Sequence, residues 1–302
     1  MKTQILLMLT LLLSFCIQLV AQQHPLVGTW QMISSKVIDV DGNEILQDNS
    51  NAREIKIITP THFMFIAHDI KDDSLIFKGS IAGTVNVEGD RYIESPIYSS
   101  AEEYNHFKTN FSWQVDGDQF IQRGTITLAD GSKVILKELV FQRVNSTEQY
   151  VENPSVGVWD QLSSSYTLAD GTQESHTNAI ATRFQIITST HWMRISHRNN
   201  EFENAMGGRY TLENVSEEVN LEDFAPGYGG KHTSEITKLY PQLEYASFSV
   251  NPEEKYEFIQ RVEDDKLYIS GFGKDAEGNK ILSFEDIFQK VNSHANGTTL
   301  LK

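Results

Sequence analysis

Cysteine is almost missing from this chain of 302 residues: Cys16 is the only one. It lies in an N-terminal stretch with the order of an export signal. Met1, Lys2 and Thr3 make a short positive start, Ile5 to Leu13 is apolar, and Leu19-Val20-Ala21 leads to Gln22. Ser14 and Gln18 interrupt the apolar run, which leaves it short of the roughly 20 residues of a membrane span. The pattern predicts a signal peptide over 1–21, cleavage after Ala21 and a secreted or periplasmic protein. Lipoprotein anchoring at Cys16 is the weaker alternative, because Phe15 stands where such processing prefers a small residue. Removal of Cys16 with the leader excludes disulfides, thiolate catalysis and cysteine metal sites from the mature chain, so its core must stabilise it.

Basic residues are also scarce. Lys and Arg number 25 against 41 Asp and Glu, a net charge of -16. No basic stripe exists to neutralise phosphates, which argues against a nucleic-acid partner. An anionic ligand would need a local cationic pocket within this acidic field. No amphipathic helix longer than two turns is legible. Gly-x-Ser-x-Gly, His-Glu-x-x-His, P-loop and EF-hand patterns are all absent, and no metal or cofactor is expected.

What the chain does contain is an internal repeat. Leu26-Val27-Gly28-Thr29-Trp30 returns as Ser155-Val156-Gly157-Val158-Trp159, and Ile57-Ile58-Thr59-Pro60-Thr61-His62-Phe63-Met64 as Ile186-Ile187-Thr188-Ser189-Thr190-His191-Trp192-Met193. Asp41-Gly42 returns as Asp170-Gly171 and His68 as His197, all in one unbroken register. Gly83 then pairs with Gly208, Phe120-Ile121-Gln122-Arg123 with Phe258-Ile259-Gln260-Arg261, and Phe141-Gln142-Arg143-Val144 with Phe288-Gln289-Lys290-Val291. The later shifts place insertions in the second copy around Ala225 to Gly230 and Gly273 to Gly278, both read as loops. Domains are expected at 22–145 and 154–292, with a linker from Asn145 to Pro154 and a loose tail at 293–302.

Within each copy, short apolar runs such as Ile55 to Ile58, Phe63 to Ala67 and Val134 to Phe141 suit strands. Asp41-Gly42, Asp116-Gly117, Asp130-Gly131 and Glu277-Gly278-Asn279 are hairpin signals. Eight to ten strands in about 120 residues predict a closed antiparallel barrel, since closure removes exposed edges. The fold class is therefore all-β, two tandem barrels.

At Gly28-Thr29-Trp30 and Gly157-Val158-Trp159 the chain resembles the lipocalin-like, or calycin, barrels. The resemblance implies a first-strand tryptophan under a basic residue of the last strand, here Arg143 and Lys290. The chain also resembles a family of secreted lipocalin-like proteins of Bacteroidetes. That likeness is carried by Thr59, Thr61, His62, Phe63 and Met64, by Tyr92-Ile93-Glu94, and by Glu138 with Phe141 and Arg143. No Tyr-x-Glu is placed in the second copy. This resemblance implies an accessory, partly carbohydrate-active role in polysaccharide degradation.

Candidate chemistry follows from the retained polar residues. His62, Met64, Ile66 and His68 alternate and share one strand face, as do His191, Met193, Ile195 and His197. Arg194, on the opposite face, is placed in solvent, which turns the histidines toward the barrel interior. His62 and His68 lie roughly 20 Å apart along the strand, so one reacting atom meets only one of them. Each of the four is a catalytic candidate or a hydrogen-bonded structural residue. Tyr92, beside Glu94, is a further acid–base candidate. Arg123 and Arg261, with Gln122, Gln260 and Tyr98, are candidate substrate ligands, the arginines for a carboxylate; the alternative is a surface position.

Two functions fit this inventory, and the sequence favours the first, with the second as its alternative. One is an oligosaccharide lyase or dehydratase performing β-elimination on uronic-acid substrates, needing a base, an acid and a cation but no cofactor. The other is a non-catalytic binder of a sugar or small apolar ligand. A small-molecule or oligosaccharide partner is expected in either case, with a homodimer as an option.

Overall fold

The computed structural model describes residues 24–291 apart from 73, 102–106, 145–152, 169, 179, 216–218, 221–230, 233–235, 249–257 and 275–279. The expected leader, most of the linker, the Ala225 to Gly230 insertion, the Glu277-Gly278-Asn279 turn and the tail lie outside the described residues.

The first copy forms β1 (Gly28–Ile38), β2 (Glu44–Gln47), β3 (Ala52–Ile58), β4 (His62–Lys71), β5 (Ser74–Glu88), β6 (Arg91–Ser99), β7 (Lys108–Asp116), β8 (Gln119–Thr127) and β9 (Lys133–Arg143). Neighbours pair antiparallel in the order β1-β3-β4-β5-β6-β7-β8-β9, and β9 returns to β1, which closes an eight-stranded barrel with β2 as a flap on β1. The second copy forms β10 (Gly157–Leu168), β11 (Gln173–Thr177), β12 (Ala181–Ile187), β13 (His191–Arg198), β14 (Glu201–Val215), β15 (Val219–Asn220), β16 (Lys231–His232), β17 (Ile236–Pro241), β18 (Tyr245–Ala246), β19 (Phe258–Glu263), β20 (Lys266–Lys274) and β21 (Lys280–Lys290). Its barrel runs β10-β12-β13-β14-β17-β19-β20-β21 and closes through β10–β21, with β11 and β18 as side pairings and β15–β16 as a separate ribbon. Two closed antiparallel barrels in tandem are the lipocalin-like architecture expected from the repeat. No helix among the described residues is long and apolar enough to cross a membrane.

Turn chemistry and lids agree with the sequence. Gly42, Gly117, Gly131 and Gly171 all take positive φ, as the Asp-Gly turns require. Gly28 (φ 148) lets the chain pass beneath Arg143, whose Nη1 lies 2.5 Å from where a Cβ would stand. The Arg143 guanidinium carbon sits 4.0 Å from the Trp30 ring centre, and Lys290 Nζ 5.6 Å from that of Trp159.

Strands β3 and β12 share the same burial pattern, as do the first eight residues of β4 and β13, and both patterns are buried on two faces. Near-continuous apolar strands arise where both faces are covered. One face is the barrel interior: Ile58 and Phe63 join Trp30, Phe120 and Phe141 in the first barrel, while Ile187 and Trp192 join Trp159 and Phe288 in the second. The other face is the partner barrel. Met64, Ile66 and Ala82 of the first copy pack with Phe184, Met193, Ile195, Ala205 and Tyr245 of the second in one cluster.

This junction is reciprocal. His68 Nε2 donates to the carbonyl of Ala246, and His197 Nε2 to the carbonyl of Ser99, each over 2.8 Å. Ser99 and Ala246 are equivalent positions: they pair with Ile81 and Met206, which in turn pair with Phe65 and Arg194, equivalents in the repeat. The two barrels therefore meet as the subunits of a two-fold dimer do, each patch serving both sides of the contact. Arg53 reinforces the junction by lying 4.9 Å over the Tyr245 ring.

Candidate functional site

The histidine face points away from both barrel interiors and into the junction. The expected inward orientation rested on Arg194 being in solvent. Arg194 instead lines the interior of the second barrel, where Asp286 partly offsets the cost of its burial and the neighbouring charge of Arg183 adds to that cost. His62 and His191 are buried, each with Nδ1 2.7 Å from the hydroxyl of the preceding threonine, Thr61 or Thr190. Burial pulls both imidazoles down to about 4 from the ordinary 6.5. At neutral pH they are uncharged. His62 packs on Phe184 of the second barrel. Burial also lowers His68, with Arg53 adding to the effect and the Ala246 carbonyl opposing it.

The remaining predicted residues separate. Tyr98 belongs to the junction, its ring 5.3 Å from Phe184 and 5.6 Å from His197. Its hydroxyl meets Asp160, and burial first and that carboxylate second raise its pKa. Burial likewise raises Asp160. Arg123 sits on the outside in a pair with Glu138. Arg261 alternates with the inward Gln260, pairs with Glu263 at 2.9 Å and covers Tyr268. Neither supplies an inward cation. Tyr92, Gln122 and Gln260 do point into interiors.

The first barrel fills its interior. Lys56 and Glu94 form a buried ion pair, Lys56 Nζ also donates to Gln122 Oε1 at 3.1 Å, and its ammonium lies within 5.6 Å of the Phe63, Tyr92 and Phe141 ring centres. Burial, then Glu94, raises the Tyr92 phenol well above its ordinary value. Tyr92 and Glu94 therefore act as plug and counter-ion.

The second barrel holds a cavity of about 310 Å³. Its walls include Trp192, Met206, Leu239, Phe258 and Phe284, and Phe248, 45% exposed, stands at its edge. The repeat explains why the space exists. The position of Lys56 holds Gln185. The pairing of Val85 with Glu94 recurs as Tyr210 with Pro241, so the counter-ion becomes a proline. Leu239 takes the place of Tyr92 by the same register, so Tyr-x-Glu does not recur at this position of the second copy.

Tyr166, Arg183, Arg194 and Asp286 converge in this cavity, with Gln161 behind Arg183. Arg183 Nη1 contacts Asp286 Oδ1 at 2.6 Å, and its Nη2 bonds the Tyr166 hydroxyl. The Gln161 amide, turned so that both ends are satisfied, accepts from Arg183 Nη1 and donates to the Ala181 carbonyl, each at 3.2 Å. Burial works against the charge on Arg183, but Asp286 and Tyr166 outweigh it and its pKa is raised. Arg194 is held more loosely. Its Nη1 is 3.7 Å from Asp286 Oδ2, and among the described residues its one hydrogen bond runs to the thioether of Met206, 3.1 Å away. Among the described residues its Nε is buried without a partner, as is the indole nitrogen of Trp192. Burial, then the charge of Arg183, lowers Arg194 to about 10, so it stays a cation at neutral pH.

No protein-family model matches this chain, nor does any curated protein. Solved structures with a related outline include a protein of unknown function from the DUF3598 family of Nostoc punctiforme, 10% identical over 88% of this chain and 96% of that one, at a TM-score of 0.27. Kievitone hydratase from Nectria haematococca is 8% identical over 90% of this chain and 91% of its own, at 0.21. At such scores neither transfers a residue or an activity, and the barrel assignment rests on the strand pairing itself.

Sequence reasoning missed Tyr166, Arg183, Arg194 and Asp286. The repeat carried a signal for them. In register they replace Val37, Glu54, Phe65 and Leu139 of the first copy. Two core positions, Phe65 and Leu139, become an arginine and an aspartate together, a compensated change of charge inside a barrel. Among the described residues no cluster of His, Cys, Asp and Glu could hold a metal ion.

Proposed function

We propose that this protein works after export as a binding protein for one small molecule, held inside the second barrel while the first serves as its scaffold. The carrying observation is the asymmetry of the interiors: Lys56, Glu94 and Tyr92 plug the first, and Gln185, Pro241 and Leu239 leave the second open. Small-molecule sites are concave, largely apolar pockets with a few placed polar groups. A cavity of about 310 Å³ accommodates one small molecule and excludes a polysaccharide chain. The test is ligand-induced thermal stabilisation against a metabolite panel, with Leu243→Trp, which fills the cavity, as the control. Stabilisation that survives this substitution sinks the reading.

A second reading, β-elimination on a uronic acid, draws support from Tyr166 beside Arg183: a phenol next to a guanidinium offers an acid and a carboxylate clamp together. With the histidines in the junction, the acid–base groups of such a reaction would be Tyr166 and Asp286. Absorbance of a new conjugated double bond during incubation with monomeric uronates separates this reading from simple binding.

A further inference from the structure

We infer that the ligand of the second barrel is an amphipathic anion, its carboxylate or sulfonate seated on Arg194 and its apolar body lying against Trp192 and Phe258. This rests on the cavity being the binding site.

A guanidinium presents five donors in a fixed fork and is matched by paired oxygens. Arg183 meets that requirement with Asp286, Gln161 and Tyr166. Arg194 does not: a thioether and a carboxylate oxygen beyond hydrogen-bond distance are what it meets. The side chain exposes 20% of its surface, and it does so along the cavity that it lines. Two oxygens from a ligand would complete its coordination.

Charge balance agrees. Around the cavity stand Arg183 and Arg194 with Asp286. Glu203, itself paired with Arg198 at 2.8 Å, lies outside the cavity lining and adds a smaller stabilisation to both arginines. Among the described residues that line the cavity, one positive charge is in excess, within a chain of net charge -16. A buried cation whose carboxylate is shared with a second, closer cation is undercompensated, and an anion relieves it. The first barrel has no such arrangement, since Phe65 occupies the position of Arg194. Apolar walls next to the cation exclude a small hydrated ion and favour a body with a ring or short alkyl chain.

The experiment is isothermal titration calorimetry of the mature full-length protein with 4-phenylbutyrate, 4-phenylbutyramide and 4-phenylbutylamine, which differ only in the head group. The carboxylate is expected to bind about ten-fold or more tighter than the amide, as one charge-assisted hydrogen bond provides, and the amine more weakly than either. Arg194→Met, a substitution of similar length, abolishes the preference for the carboxylate. Asp286→Asn, which leaves both guanidiniums without their shared counter-ion, increases carboxylate affinity and enlarges the thermal stabilisation it gives. These opposite effects separate anion recognition from general damage to the fold.

Equal affinities for carboxylate and amide, or a preference for the carboxylate that persists in folded Arg194→Met, overturns the anion assignment. If the amide binds and Leu243→Trp blocks it, the cavity reading survives that failure. If no probe binds, or binding survives Leu243→Trp, the cavity reading falls and the anion assignment with it.

Discussion

Phe77 and Phe202 stack on each other across the junction of the two barrels, their ring centres 5.6 Å apart and their planes 1° from parallel. They are the same position in the two copies: Phe77 pairs with His68 on β5 and Phe202 with His197 on β14. The local two-fold relation therefore passes between two equivalent rings. Each ring also touches a histidine, Phe77 its own His68 and Phe202 its own His197, both edge-on.

A double-mutant cycle on this pair reports how firmly the barrels are joined. Phe77→Ala and Phe202→Ala should each lower stability by about 2 kcal/mol, less than a fully buried phenylalanine loses. The coupling between them should be about 1 kcal/mol, the amount an aromatic pair adds beyond burial. Urea unfolding of the four proteins measures it. Additive effects would mean that the rings pack independently.

Acid should loosen the same junction. Burial holds His62 and His191 near 4 in the folded chain, against the ordinary 6.5; Glu244 raises His191 slightly and Arg209 lowers it. A base with a depressed folded pKa binds fewer protons folded than unfolded in that interval. Its contribution to stability is complete above 6.5 and disappears as pH falls toward 4, up to roughly 3 kcal/mol for each histidine. Asp160, Glu54 and Glu285, whose pKa values burial raises, act in the opposite direction. The wild-type slope therefore mixes both, and the comparison with His62→Gln and His191→Gln isolates the histidines. Unfolding midpoints across this interval should fall less steeply in each variant, and an unchanged slope would refute the assignment.

The fold was legible from the repeat, the Asp-Gly turns and the Trp30 and Trp159 motifs, because each of these is local or constant in register. The direction of the histidines was not. In a strand covered on both faces the alternation of side chains no longer distinguishes inside from outside. Arg194 breaks the tie only on the rule that arginine faces water. The rule failed because Asp286, far along the chain, offsets the charge. The cavity was hidden for the same reason. Its polar residues come from β10, β12, β13 and β21, and only closure of the barrel brings them together.

The lids above the two tryptophans should differ in strength. Arg143 covers Trp30 and also donates to the carbonyls of Val27 and Pro25, at 3.0 and 2.7 Å. Lys290 lies farther from its ring, at 5.6 Å. Arg143→Ala removes the cation–π contact together with two hydrogen bonds to the chain entering β1, and should cost about 2 kcal/mol. Lys290→Ala should cost about half of that. Thermal unfolding of the two variants checks the order, and a larger loss at Lys290 would contradict the geometry.

The ion pair inside the first barrel gives the sharpest contrast between the copies. Lys56 and Glu94 are 5% and 7% exposed, with Gln122 as a further partner of the ammonium. Lys56→Met strands a carboxylate in an apolar interior and should cost about 3–5 kcal/mol. Lys56→Met combined with Glu94→Leu removes both charges and should recover most of that loss. The second barrel already does without the pair, holding Gln185 and Pro241 at these positions. Urea midpoints of the wild type, the single and the double variant decide it. A double variant no more stable than Lys56→Met would mean that Lys56 supports the barrel by packing against Phe63, Tyr92 and Phe141 rather than by compensating the charge of Glu94.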